Sequence, residues 1–96
     1  MIRSWSHQGT ADIWDGSNTK TARRIARSLW PVIRRKLDAL HAATALKDLE
    51  FPPGNRLHSL KGEQKGRLSM WVNDQYRITF VWKDGDAWEV RCEDYH

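Results

Sequence analysis

The chain has 96 residues, 40% of them hydrophobic, with six tryptophans and a formal charge of +4. That length permits one compact domain burying somewhat over ~60% of the surface its unfolded chain exposes, and no stretch approaches the ~20 apolar residues of a membrane span. Cys92 is the single cysteine, which excludes an intramolecular disulfide framework, and Met1-Ile2-Arg3-Ser4-Trp5 lacks the apolar run of a signal peptide, so a soluble, cytoplasmic protein is expected.

Ile2, Ser4 and Ser6 alternate with Arg3, Trp5 and His7, which predicts a short N-terminal strand. Gly9 to Trp14 reads as a short helix stopped by the turn cluster Asp15-Gly16-Ser17-Asn18. The next segment is basic: Lys20, Arg23, Arg24, Arg27, Arg34, Arg35 and Lys36 have no acid between them. From Leu29 a helix is predicted, because Leu29, Ile33, Leu37, Leu40 and Thr44 recur at helical spacing. Ser28 is its expected N-cap, with Pro31 in the first turn, where a missing N–H costs little. Another short helix over residues 44–49 ends before Phe51-Pro52-Pro53-Gly54, which cannot continue it.

The second half reads as sheet. Leu57-His58-Ser59-Leu60 predicts a short strand, followed by a polar loop over residues 61–65. Leu68, Met70 and Val72 then alternate with Ser69, Trp71 and Asn73, and Asn73-Asp74 makes a turn. Tyr76, Ile78, Phe80 and Trp82 alternate with Arg77, Thr79 and Lys83, so Arg77 should leave the face that Tyr76 and Ile78 occupy. Asp84-Gly85 is a hairpin signal, and Trp88, Val90 and Cys92 carry the last strand. The expected fold is α+β: an N-terminal strand and helices packed on an antiparallel sheet of about four to five strands. Most of the tryptophans are expected in the core, with one or two left for a surface that stacks bases or receives a partner.

Candidate chemistry gathers at two places. Asp94-Tyr95-His96 supplies a carboxylate, a phenol and an imidazole, and His58 lies in the basic segment Arg56-Leu57-His58-Ser59-Leu60-Lys61-Gly62. Metal-free RNA cleavage needs a base for the 2′-hydroxyl proton, an acid for the departing 5′-oxygen, and cations for the phosphoryl charge. Two imidazoles with Arg77 and Lys61 are that set. Tyr95 can stack under a base or join the proton transfer, and Asp94 can orient an imidazole. Arg56, Lys65, Arg67, Arg34 and Arg35 suit the phosphates of RNA, while a solvated helix face or a dock for an acidic protein is the plainer reading of the same charges. The four histidines and Cys92 show no zinc-ligand spacing, and neither a serine elbow nor a glycine-rich phosphate loop is present. No metal and no cofactor is therefore expected, and His41 is expected to be an exposed or half-buried helix residue.

Leu57-His58-Ser59-Leu60-Lys61-Gly62, the run Asn73-Asp74-Gln75-Tyr76-Arg77-Ile78-Thr79-Phe80 and the closing Asp94-Tyr95-His96 together resemble HigB-type toxins of the RelE/ParE superfamily. Residues 35–40 and 43–49 with Pro52-Pro53-Gly54 match the helical half, and the likeness spans about residues 1–7 and 30–96. The resemblance implies a small RelE-like fold and a ribosome-dependent mRNA endonuclease that cuts message in the A site without a metal, leaving a 2′,3′-cyclic phosphate. It places His58, Lys61, Arg77, Asp94, Tyr95 and His96 on catalytic or RNA-contacting positions, with either histidine as acid or base. It implies a HigA-type helix-turn-helix antitoxin as partner, with the 70S ribosome and mRNA, and operator DNA reached only through the antitoxin. Residues 15–28 depart most from the family pattern. Two alternatives stay open: a non-nuclease ParE-like toxin and an RNA-binding module of the same fold.

Overall fold

The computed structural model describes residues 1–94. Helix α1 spans Gln8–Asp15; its N-cap is His7, whose Nδ1 accepts the Thr10 backbone N–H at 3.2 Å. It stops at Gly16, whose φ of 80° lets the cap N–H turn back onto the last carbonyls. Helix α2 spans Trp30–Ala42 and buries Ile33, Leu37 and Leu40, the stripe that the spacing predicted. Two details differ. The N-cap position is Leu29, without a side-chain cap, so Ser28 does not cap the helix. Thr44 lies beyond the helix end and is exposed, because the Asp48 carboxylate takes the N–H groups of Thr44 and Ala45 and starts a 3-10 turn over Leu46–Glu50. The basic stretch before α2 forms two 3-10 turns, Ala22–Arg24 and Arg27–Leu29, pinned by buried Ala22 and Ile25.

Four strands follow: β1 His58–Ser59, β2 Leu68–Trp71, β3 Tyr76–Lys83 and β4 Asp86–Asp94, in one antiparallel sheet of order β1-β2-β3-β4. This is the expected meander. Asp84 and Gly85, at φ 54° and 80°, form the β3–β4 hairpin turn. The first residues run parallel to β4 through bridges Ile2↔Ala87 and Trp5↔Val90 and cover its outer edge. Those bridges are three residues apart, so the predicted alternation does not hold there.

The reason is a bulge in β4. Pairing with β3 shifts between Thr79 and Val81, and Glu89 sits at φ 51°. The extra residue reverses which side chains face inward: Ala87 is buried and Trp88 is 37% exposed, against the expectation that Trp88 shares a face with Val90 and Cys92. The core is aliphatic with Phe80 and Met70, between the helices and one sheet face. The tryptophan expectation also needs correction. Trp5, Trp14, Trp30 and Trp82 only pack partly against this core, and Trp71 points to the other side of the sheet. Among the described residues no helix is long and apolar enough to cross a membrane.

Candidate active site

Register puts the site on the sheet face opposite the core. Residues directly across a strand pair share a face, and so do residues two apart. His58 is opposite Ser69, Ser69 opposite Thr79, and Thr79 opposite Arg91. The adjacent row is Trp71, Arg77 and Glu93. Met70, Ile78 and Cys92, in the intervening row, are buried in the core. The offset of Arg77 that alternation predicted is therefore realised, and it lines one cavity with His58.

Arg56, His58, Ser69, Trp71 and Arg77 line a cavity of about 190 Å³. The His58 ring is exposed, with Nδ1 at 3.2 Å from both the Arg56 carbonyl and Ser69 Oγ. In the tautomer that donates Nδ1–H to that carbonyl, Nε2 keeps its lone pair and can accept a proton. The Arg56 guanidinium lies 4.5 Å from the centre of the Trp71 ring. Arg77 donates to Glu93 Oε1 at 3.1 Å.

Glu93 organises what lies beneath. Its oxygens also accept from Gln64 Nε2 at 2.8 Å, from Thr79 Oγ1 at 3.1 Å and from Arg91 Nε. Burial alone pushes its carboxyl up, but the hydrogen bonds from Gln64, Arg91 and Arg77 outweigh that and hold it down at about 2. Gln64 belongs to the turn that follows Lys61, so one carboxylate ties Arg77 to the base of the lysine loop.

The remaining expected residues are more dispersed. Lys61, Lys65 and Arg67 line a second cavity of about 450 Å³ beside β1, not the one containing His58. Lys61 and Lys65 are exposed, whereas Arg67 donates to Thr79 Oγ1 at 2.9 Å and to the Glu89 carbonyl at 2.7 Å, which fastens it to the sheet. Arg34 and Arg35 are exposed on α2, and Arg35 lines a separate hollow with Pro52 and Asn55. Asp94 is exposed at the end of β4, where its carboxylate accepts from Gln75 Nε2 at 3.1 Å. Tyr95 and His96 lie outside the described residues. Sequence reasoning did not single out Trp71, Ser69, Gln64, Arg91 or Glu93; for Trp71 and Ser69 the signal was their alternation with Met70, the same argument applied to Arg77. Among the described residues, no three His, Cys, Asp or Glu side chains cluster to hold a metal ion.

An imidazole, two guanidiniums and a half-buried indole around one hollow can bind a phosphodiester and move a proton beside it. The fold is shared with solved structures. A YoeB–YefM complex from Staphylococcus aureus superposes with a TM-score of 0.61 at 16% identity, covering 100% of this chain and 98% of that one. YafQ from E. coli strain BL21(DE3) superposes at 0.56 with 11% identity, covering 98% of this chain and 93% of that one. Sequence goes further: a family model described as RelE-like toxin of type II toxin-antitoxin system HigB matches residues 4–96. Toxin HigB-1 of Vibrio cholerae serotype O1 is 48% identical over 68 residues, 71% of this chain and 72% of that one. Endoribonuclease HigB of Proteus vulgaris is 34% identical over 98 residues, covering 100% of both. The chain belongs to the HigB-like family of RelE-like toxins.

Proposed function

We propose that this toxin is an endoribonuclease acting in the cytoplasm on mRNA in the ribosomal A site, by metal-free acid/base catalysis. The observation that carries the reading is the shared cavity of His58, Arg56 and Arg77 on the polar sheet face. Arg77, braced by Glu93, and Lys61 stabilise the charge that gathers on the phosphoryl oxygens. His58 and His96 exchange protons with the 2′-hydroxyl and the departing 5′-oxygen, giving a 2′,3′-cyclic phosphate and a 5′-hydroxyl. Tyr95 positions a base and Asp94 orients a histidine. Arg34, Arg35, Arg56, Lys65 and Arg67 contribute to the positive field that RNA meets. The antitoxin is of HigA type, a helix-turn-helix protein that neutralises the toxin and carries it to operator DNA.

The name of the Proteus relative and the donor set in the cavity support RNA cleavage over a purely obstructive toxin. Primer extension on cellular mRNA after induction tests it: cuts inside translated codons are expected. Growth arrest with intact message would overturn the nuclease reading and favour a toxin that acts by binding alone. In the same assay His96→Ala should abolish arrest while antitoxin binding persists; undiminished toxicity would remove His96 from the mechanism.

A further inference from the structure

We propose that Trp71 and Arg56 form a nucleobase slot, in which a base of the bound RNA stacks on the Trp71 indole next to the phosphate served by His58 and Arg77. The proposal rests on the RNA-cleaving reading above and names how the substrate is gripped.

Three observations carry it. Trp71 ends β2 with its ring only half-buried, lining the same cavity as His58 and Arg77. An aromatic face beside phosphate-binding cations is how proteins hold unpaired RNA: stacking takes a splayed base while the cations take the backbone. Second, the Arg56 guanidinium lies over this ring, 4.5 Å from its centre, a cation–π stack of the kind that a flat base can extend or replace. Arg56 does this from a left-handed backbone, φ 46°, a conformation that residues with side chains seldom adopt. Third, the Trp71 indole N–H is shielded from solvent and has no acceptor among the described residues. Buried donors are nearly always paired. Trp14 donates its indole N–H to Asp38 at 2.8 Å and Trp30 to the Ile25 carbonyl at 3.0 Å. Trp71 differs from both in having no such partner among the described residues.

The test uses the full chain with ribosomes programmed so that an mRNA codon carrying 2-aminopurine and 2′-deoxy sugars, and therefore uncleavable, occupies the A site. Stacking on indole quenches 2-aminopurine emission. Wild type should quench strongly at one codon position, Trp71→Phe should keep most of that quenching, and Trp71→Ala should lose it while a dye-labelled variant still binds the ribosome. On normal message, Trp71→Ala should cleave about ten- to a hundredfold more slowly. Equal quenching by wild type and Trp71→Ala, or none by wild type at saturation, overturns the slot. Circular dichroism separates misfolding of the alanine variant, in which case Trp71→Phe and Arg56→Ala decide: quenching must survive the first and change with the second, and the reverse pattern overturns the slot. If wild type leaves normal message uncut, the nuclease reading fails by itself, and Trp71-dependent quenching still supports base binding.

Discussion

Glu93 shows how much of this site depends on a residue that does not itself touch the cavity. It receives hydrogen bonds from Arg77, Arg91, Gln64 and Thr79, and its carboxyl is held at about 2, below the ordinary 4.5. Because the folded value is depressed, the stabilisation is complete above about pH 4.5 and is lost as pH falls towards 2. Replacing Glu93 with Gln should lower stability at pH 7 by on the order of 1–2 kcal/mol, the shift being discounted for solvent screening, and flatten the acid limb of the stability profile. Denaturant melts of both proteins from pH 7 to 3 check this, and parallel profiles would count against the brace. Alternation in the sequence was enough to send Arg77 to the polar face. It was silent on Glu93, which reads as one more charge beside Asp94 until β3–β4 pairing sets it opposite Arg77. His41 met its plain expectation: half-buried on α2, it accepts the Ile2 N–H at 3.1 Å and packs 5.0 Å from the Trp14 ring.

At the scale of elements, the bulge in β4 is where sequence pattern and structure part. Period-two reading assumes no extra residue, so it carried Trp88 to the wrong face; an insertion of one residue leaves no mark in composition. The bulge is held from outside the sheet, since the Glu89 N–H donates to Ser4 Oγ at 2.8 Å. Two opposite effects are expected. Ser4→Ala hands that exposed donor to water and should cost about 0.5–1 kcal/mol, whereas Glu89→Gly relieves a positive φ and should be neutral or stabilising by up to about 1 kcal/mol. Urea midpoints of the two variants measure the pair, and destabilisation by Glu89→Gly would refute the strained-bulge account. The helices were more legible, because Ile33, Leu37 and Leu40 follow one stripe over about two turns. The start of α2 was not: Ser28 has the chemistry of an N-cap, yet the turn before α2 puts Leu29 in that position.

For the whole molecule, the α+β order was readable because each half has its own periodicity, while the parallel docking of the first residues on β4 joins positions more than eighty apart and has no local signal. The charge of +4 is spread unevenly, with exposed Arg34 and Arg35 on α2 away from the cavity. If these reach ribosomal phosphates, Arg34→Glu with Arg35→Glu should weaken ribosome binding and reduce its salt dependence by about two counter-ions; an unchanged salt slope would assign that face to another partner. The most direct test of the central claim is single-turnover cleavage of ribosome-bound message by wild type and His58→Ala. A loss of about a hundredfold or more, with ribosome binding preserved, is the predicted result for a proton-transfer group. Cleavage by His58→Ala at the wild-type rate would contradict it.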